Sequence, residues 1–288
     1  MRIALGLEYD GSGFCGWQSQ VGRATVAGPP QDSCAAPLGG GAQRRGPAKG
    51  AVQDAVESAV STVADAPTRV VCAGRTDAGV HALAQVVHFD TQARRPDTAW
   101  VRGVNAHLPA SVAVRWAQPV SDEFHARFSA LGRRYRYLLL NRAERPGLMA
   151  GRVGWFHRPL DADAMAAAAG LLLGEHDFSA FRSAECQAKS PVKTLRRAQI
   201  MRNGELLVFD FEASAFLHHM VRNLVGALVS VGKGAHSPDW LGELLAGRDR
   251  ARAAPTFEAS GLYLVGVDYD PVWQVGAGAT AIVLPMNS

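Results

Sequence analysis

The sequence lacks several features that would each place it in a particular class of protein. Its four cysteines lie far apart in 288 residues with no Cys-x-x-Cys pair, which argues against a disulfide framework and a cysteine zinc site. It has no run of about 18 apolar residues, so we expect no transmembrane helix and no membrane partner. Residues 1–10 predict a strand rather than a secretory signal. We therefore expect a cytoplasmic protein.

Motifs for a bound cofactor are also missing. No glycine-rich nucleotide-binding sequence follows a predicted strand, and no group of His, Cys and acidic residues has the spacing of a metal site. His218 and His219 are adjacent, and adjacent residues do not share a helix face, so we predict no metal there. The sequence thus predicts neither a metal nor a small-molecule cofactor.

The composition is that of a globular chain with a mild basic excess. Apolar residues make up 48% and charged residues 19%, and the length suits two ordinary domains. The net charge is +4 and the isoelectric point is near 9.0. Arginines cluster at 94–95, 133–136, 196–197 and 248–252. This balance favours a polyanionic partner, with these clusters as candidate phosphate contacts.

The most informative stretch is residues 74–82, Gly-Arg-Thr-Asp-Ala-Gly-Val-His-Ala. Apolar runs at 69–73 and 84–89 flank it and predict two strands. Asp77 is therefore expected at a turn between strands, beside Arg75. Gly74 and Gly79 allow backbone angles that a Cβ would block. Such a turn is either an ordinary hairpin with a surface ion pair or a rigid mount for a carboxylate at the edge of a cleft.

Two further stretches carry candidate site residues. In the predicted strand 134–140, Tyr135 and Tyr137 share one face, so they are either buried or arranged to stack on bases. Residues 216–228 predict an amphipathic helix with apolar positions at i, i+4, i+7 and i+11. Arg222 lies off this apolar line, and Gly226 one turn later leaves room around it. A half-buried arginine there needs a carboxylate or phosphate partner.

The predicted elements divide the chain into two α+β halves. Residues 1–124 read strand, helix, strand, strand, helix, strand, the order of a ferredoxin-like unit, and residues 125–270 offer a comparable series. Residues 21–48 are rich in Gly, Pro and Ala without a period, which indicates a flexible insertion. Residues 271–288 carry no motif and are expected to form a frayed tail.

Four strings resemble the tRNA pseudouridine synthase A family. They are Tyr-Asp-Gly…Gly-Trp-Gln at 9–18, the string at 74–82, Arg-Tyr-Arg-Tyr at 134–137, and Phe-Leu-His-His-Met-Val-Arg-Asn at 216–223. The resemblance implies that Asp77 is the nucleophile, that Arg222 pairs with it, and that Tyr135 stacks on the target base. A leucine beside that tyrosine would be Leu262. The resemblance also implies that the target base flips out of the RNA, and that Arg75 would occupy the space it leaves.

The resemblance also implies a fold and a substrate. Two antiparallel sheets would be joined edge to edge, with helices on one side and a central RNA-binding cleft. The substrate would be tRNA, with isomerisation of uridines 38, 39 and 40 of the anticodon arm by a homodimer without a cofactor. Attack at C6 or at C1′, and removal of the C5 proton by Tyr135 or by water, stay open. A non-catalytic RNA-binding relative and a hydrolase using Asp77 are the alternative functions.

Overall fold

Ten strands of the computed structural model join in a single, mostly antiparallel sheet. The structure describes residues 1–18 and 50–276. The first part of the chain forms, in order, β1 (Arg2–Tyr9), α1 (Val52–Ala64), β2 (Val71–Cys72), β3 (His81–Asp90), α2 (Asp97–His107) and β4 (Val112–Val120).

The rest of the described chain forms six more strands and three more α-helices. These are β5 (Ala130–Asn141), β6 (Gly154–Phe156), α3 (Ala162–Gly170), β7 (Gly174–Asp177), β8 (Val192–Asn203), β9 (Leu206–Ala213), α4 (Met220–Gly232), α5 (Asp239–Gly247) and β10 (Leu262–Tyr269). The sheet order is β4-β1-β3-β10-β5-β9-β8-β7, with β2 on β3 and β6 on β5. Only β5–β6 and β3–β10 pair in parallel among the described strands.

The helices cover one face of this sheet. Apolar residues of α1 to α5 pack with inward-facing strand residues in one cluster, in which Val56, Val60, Leu224 and Leu228 are fully buried. Two smaller clusters consist of strand and loop residues and contain no α-helical residue. The four-residue spacing within α1 and α4 places these side chains on one stripe, which is why the helices bind the sheet.

The parallel pairing of β3 with β10 joins the two parts of the chain. Only two residue pairs are in register there, Tyr263 with His81 and Leu264 with Ala82. The His81 ring adds to this backbone contact: its Nε2 lies 3.1 Å from the carbonyl oxygens of both Gly151 and Ser260, and it stacks on Tyr263 with centroids 4.6 Å apart. Residues from both parts therefore meet beside β3.

The α+β class and the mainly antiparallel sheet are confirmed. The order strand, helix, strand, strand, helix, strand predicted within residues 1–124 is also confirmed, with the two helices at Val52–Ala64 and Asp97–His107. The origin of the fold in two ferredoxin-like halves, and the domain boundaries, stay predictions. No described helix combines the length and apolar character that crossing a membrane requires.

Other predictions differ from the structure. The helix predicted from residue 216 begins only at Met220. Residues 271–276 were expected in the frayed tail, but Pro271–Trp273 is a 3-10 helix and Trp273 packs against Phe124. The sequence did not indicate β6, β7 or α5 because they are short. The insertion at 21–48 and the rest of the tail lie outside the described residues.

Candidate active site

Asp77 lies in the turn between β2 and β3, as its flanking apolar runs predict. The Asp77 carbonyl oxygen accepts a hydrogen bond of 3.1 Å from the amide of Val80. Gly79 within this turn has φ +80°, a conformation that a side chain would strain. The turn therefore reverses the chain tightly and presents the aspartate between the short, partly exposed β2 and the largely buried β3.

Side chains that the sequence did not single out hold this turn in place. Gln85 is fully buried; its Nε2 donates to the Gly74 carbonyl at 2.6 Å, and its Oε1 accepts from the Gly74 amide at 3.4 Å. Thr76 Oγ1 is hydrogen bonded to Tyr9 Oη at 2.8 Å, and the Thr76 carbonyl accepts from the amide of Trp17 at 2.9 Å. The turn is thus fixed on both sides, which limits the positions open to the carboxylate.

Three cationic or potentially cationic groups surround the Asp77 carboxylate. Arg222 Nη1 lies 3.2 Å from Asp77 Oδ2. His218 Nε2 lies 3.2 Å from Oδ1, and His219 Nε2 lies 3.4 Å from Oδ2. Arg222 also donates from Nε to the carbonyl of Phe257 at 2.9 Å, which fixes its guanidinium. The structure thus brings together the aspartate from the first part of the chain and the arginine from the second.

This environment favours the ionised form of Asp77. Burial opposes the charge, but the hydrogen bond from His218 and the nearby charges of His219 and Arg222 outweigh it, so the pKa of Asp77 is lowered. The same contact raises the pKa of His218. Burial lowers the pKa of His219, and Arg222 adds to this effect, although Asp77 opposes it. A carboxylate kept ionised at the surface of a recess can act as a nucleophile.

The histidines reach Asp77 because the chain turns just before α4. His219 has φ +62° and ψ +2°, the left-handed conformation, and the helix begins at the next residue. His218 therefore lies before α4, which the sequence predicts from residue 216, whereas Arg222 lies in its first turn. The Nδ1 atom of His218 is buried without a hydrogen-bond partner among the described residues. No sequence spacing indicates this arrangement, because a single left-handed residue redirects both rings.

Tyr135 lies beside the turn with most of its ring buried. Its exposed fraction is 9%, and Phe216 packs edge-on against it with ring centroids 5.1 Å apart. Its hydroxyl oxygen lies 3.8 Å from where a Cβ on Gly74 would sit, an ordinary van der Waals distance, so the hydroxyl lies directly beside the turn. Burial, with the Asp77 charge, raises the pKa of Tyr135. Tyr137 is fully buried and donates to the Glu258 carbonyl at 2.9 Å, as expected for a core residue.

The β5–β10 register brings two leucines near Tyr135. Leu264 is opposite Tyr135, and Leu262 is opposite Tyr137, two residues further along the same face. Both leucines are buried. In an antiparallel pair the opposed and the diagonal residue are both within reach of an aromatic ring. The choice of Leu262 as the leucine beside the stacking tyrosine therefore stays a prediction.

The arginines of the predicted site differ in their availability. Arg75 is exposed beside Asp77, with only a 3.5 Å contact to Gln187. Arg136 makes a two-point ion pair with Asp210, at 2.7 and 3.0 Å, and Arg134 pairs with Asp268 at 3.1 Å. The guanidinium groups of Arg134 and Arg136 on β5 are thus paired with carboxylates, and they are less available to phosphate than predicted.

Asp77, His218 and His219 also have the composition of a cation site. One ligand atom from each lies within 4.8 Å of the others. Arg222 already neutralises one oxygen of the same carboxylate, and its fixed charge opposes a second cation. The cluster therefore fits an ionised aspartate with three partners better than a metal site.

Comparisons with known proteins define the class of this chain. The sequence model of the family described as "tRNA pseudouridine synthase" matches residues 41–129 and 168–270. Pseudouridine synthases are isomerases, so the chain is an isomerase. The matched residues include Asp77 and Arg222. The match thus covers the turn, the start of α4, and the strands β3 and β10 that pair between the two parts, whereas β1 and β5 lie outside it.

Three relatives, each named tRNA pseudouridine synthase A, extend the similarity over nearly the whole chain. The protein of Dechloromonas aromatica is 60% identical over 273 residues, covering 95% of this chain and 94% of the relative. That of Thiobacillus denitrificans is 61% identical, covering 93% and 94%. That of Aromatoleum aromaticum is 56% identical, covering 99% and 98%. The chain belongs to the tRNA pseudouridine synthase A family.

Among solved structures, a chain titled "Crystal Structure of a Cbf5-Nop10-Gar1 Complex" covers 74% of this chain and 44% of its own length. The identity is 9% and the TM-score 0.34, which are too low to support an argument about fold or function.

Proposed function

We propose that this protein converts uridine to pseudouridine in the anticodon stem-loop of tRNA, at positions 38, 39 and 40, with Asp77 as nucleophile. The observation that carries the proposal is the 3.2 Å contact between Asp77 and Arg222, contributed by separate parts of the chain. An ion pair that only stabilises the fold does not need two rigid supports. Here a tight turn holds Asp77, the start of a helix holds Arg222, and the pair stays partly exposed.

The target base has to leave its stack to reach this recess. Flipping a nucleotide costs a few kcal/mol, and interactions with the flipped base and the vacated space offset that cost. Arg75 is exposed next to Asp77 and is placed to fill the space left behind. Tyr135, beside Leu264, presents the accessible part of its ring to the base. The cleft for RNA would lie along this edge of the turn.

The reaction is an internal exchange of bonds. The bond between ribose C1′ and uracil N1 breaks, the ring turns, and a bond between C1′ and C5 forms. The C5 proton leaves and N1 gains a proton, so atoms and oxidation states balance without an added group. Asp77, held ionised by Arg222 and the two histidines, supplies the nucleophile at C6 or at C1′.

The acceptor of the C5 proton is either Tyr135 or a water molecule. Burial and the Asp77 charge raise the pKa of Tyr135, so its hydroxyl is protonated at neutral pH. A protonated phenol with a raised pKa becomes a base only after its proton has been removed. This favours water as the acceptor while Asp77 carries its charge.

The same proposal includes a homodimer that binds one tRNA across both subunits, and a cytoplasmic location. The basic composition of the chain supports contact with RNA phosphates. Light scattering on the purified protein measures the subunit number directly, and a monomer at all concentrations would remove the dimer from the proposal.

Tritium release tests the chemistry. Unmodified tRNA transcript carrying tritium at uracil C5 is incubated with the wild type and with Asp77→Asn. We expect release by the wild type alone and retained tRNA binding by the variant, because the amide keeps the shape of the side chain and loses its charge. Glu175→Gln, which changes an exposed carboxylate on β7, is the matched control and should release tritium normally.

Each alternative function gives a different result. Binding of tRNA without release by the wild type would show an RNA-binding protein without catalysis. Free uracil would show hydrolysis of the glycosidic bond. Release by Asp77→Asn at the wild-type rate would remove Asp77 from the mechanism.

A further inference from the structure

Phe128 is a prominent feature that the proposed reaction does not use. Its side chain is 77% exposed, and it is the one Phe, Tyr or Trp of residues 1–18 and 50–276 that is largely exposed. It lies between β4 and β5, in the segment 121–129. Covering an exposed aromatic ring removes apolar surface from water and is favourable, so Phe128 is a candidate contact for a binding partner.

Contacts with residues of its own segment hold the ring in place. It stacks on His125 with centroids 4.2 Å apart and planes inclined by 29°. His125 Nδ1 accepts hydrogen bonds of 3.2 Å from the amides of both Arg127 and Phe128. The amide of Ser129 donates to the His125 carbonyl at 2.8 Å. The outer face of the ring is thus presented in one orientation, which reduces the entropy lost when a second ring stacks on it.

The segment is tied directly to the catalytic turn. Arg133 Nη2 donates to the carbonyl of Arg127 at 2.7 Å and to the carbonyl of Ala73 at 2.8 Å. Ala73 immediately precedes the turn that carries Asp77. Because a single nitrogen binds both carbonyls, the segment that carries Phe128 and the turn that carries Asp77 are neighbours and keep a fixed separation.

Exposed arginines accompany the ring. The Arg127 guanidinium lies 5.7 Å from the ring centroid. Burial raises the pKa of Cys72 to about 12, and the charges of Arg75 and Arg127 both oppose this rise, so both charges act on the thiol that precedes the turn. An aromatic face with exposed arginines nearby suits a base and its phosphates better than an apolar protein surface.

We propose that Phe128 is a stacking platform for an unpaired base of the RNA substrate, next to the base that enters the active site, with Arg127 on the neighbouring phosphate. The proposal rests on the proposed function and adds a binding position to it. Phe128 does not touch the reacting atoms. It positions the RNA, so its loss should weaken binding and leave the chemical step intact.

Binding and turnover of one tRNA transcript are measured at fixed salt for Phe128→Ala, Phe128→Leu and Phe128→Tyr. We expect Phe128→Ala and Phe128→Leu to raise Kd and KM by about ten- to a hundredfold with kcat nearly unchanged, because base stacking needs an aromatic face. Phe128→Tyr should stay within about threefold of the wild type, because its ring still stacks. Irradiation of transcript carrying 5-iodouridine in the anticodon loop should link RNA to the tryptic peptide 128–133.

Leu131 provides the matched control. It is 52% exposed three residues further on, and Leu131→Thr removes apolar surface without removing a ring. Base stacking predicts unchanged RNA binding for Leu131→Thr. If Phe128→Ala and Leu131→Thr both reduce the subunit number in light scattering, the surface is a contact between copies of the chain and the proposal is overturned. Equal RNA binding by Phe128→Leu and the wild type would also overturn it.

The two proposals fail separately. Tritium release by the wild type with normal Kd for Phe128→Ala would sustain the reaction and remove the platform. Absence of release by the wild type would remove the reaction, while the Kd of the Phe128 variants would still decide whether the ring binds RNA.

Discussion

At the scale of single residues, the site depends on keeping one partly buried carboxylate charged. Burial alone would raise the pKa of Asp77, and the groups around it lower the pKa instead. Asp77 has a lowered pKa in the folded protein, so its ionisation stabilises the fold above the ordinary aspartate pKa. That stabilisation is lost as the pH falls through the lowered value. Charge, and not only position, is what Arg222 contributes.

Arg222→Gln should move the acid limb of the pH–rate profile to higher pH. Removal of an opposite charge at this distance raises a carboxyl pKa by about one to three units, so Asp77 is protonated over a wider acid range. The measurement is kcat/KM for tRNA against pH. We expect kcat to fall far more than tRNA affinity.

Arg142→Gln is the control for this profile. Arg142 pairs with exposed Glu205 at 3.0 Å, so the substitution removes the same formal charge at a different place. It should leave the acid limb where the wild type has it. Equal losses of affinity and turnover in Arg222→Gln would mean that Arg222 only binds phosphate.

The residues that could be predicted at this scale are those held in an uninterrupted string. Asp77, Arg222 and Tyr135 stand in motifs whose spacing is visible in sequence. Gln85 could not be predicted in the same way, because its contact with Gly74 depends on how β3 packs against the turn and no motif marks it. Leu262 rests on the resemblance and on the β5–β10 pairing, and it stays a prediction.

At the scale of the element, the start of α4 is unusual. His219 is one of four non-glycine residues with positive φ in the described chain, with Asp65, Arg248 and Gln274. A left-handed L-residue costs about 1 to 2 kcal/mol. His219 keeps this unfavourable backbone conformation, and its ring contacts Asp77. The strained backbone is therefore tied to the site.

His219→Gly should separate stability from activity. Glycine removes the backbone strain but adds entropy to the unfolded chain, so we expect a free energy of unfolding within about 1 kcal/mol of the wild type. Loss of a contact to Asp77 should lower kcat/KM by about tenfold or more. Urea denaturation and tritium release give the two quantities.

Asp65→Gly is matched to this variant, because Asp65 ends α1 with φ +55° and is exposed. It should gain stability or leave it unchanged, with normal activity. A large loss of stability in His219→Gly alone would mean that the histidine ring supports the fold rather than the site.

Elements with a clear period were predictable, and their boundaries at special residues were not. The stripes of α1 and the alternation of β5 are local properties of the sequence. The late start of α4 depends on one left-handed residue stabilised by contacts from the other part of the chain, so helical periodicity overextends it to residue 216. Short strands such as β6 and β7 have too few residues to show a pattern.

At the scale of the whole molecule, the site depends on the junction between the two parts of the chain. Two residue pairs of β3 and β10 and the His81 ring connect the part that carries Asp77 to the part that carries Arg222, together with contacts such as Arg133 to the Ala73 carbonyl. The Gly11 amide also donates to His81 Nδ1 at 3.1 Å. The topology of this junction was not predictable, because it pairs strands about 180 residues apart.

His81→Ala should therefore lower stability and activity together. It leaves the buried Gly11 amide and two carbonyls without their partner, and we expect a loss of about 2 to 4 kcal/mol in the free energy of unfolding. Urea unfolding followed by tryptophan fluorescence and by circular dichroism should give one transition for the wild type. His107→Ala, which changes an exposed histidine at the end of α2, should leave both measurements unaltered. Full activity of folded His81→Ala would show that the junction does not position the site.

The position of β10 has a consequence for synthesis on the ribosome. This strand comes last among the described strands, yet it lies in the middle of the sheet between β3 and β5. Until it has emerged from the exit tunnel, the edges of its two neighbours stay unpaired and Asp77 has no stable counterion. A nascent chain interrupted before residue 262 would thus be catalytically silent and prone to aggregate, so that RNA modification begins only when translation of this strand is complete.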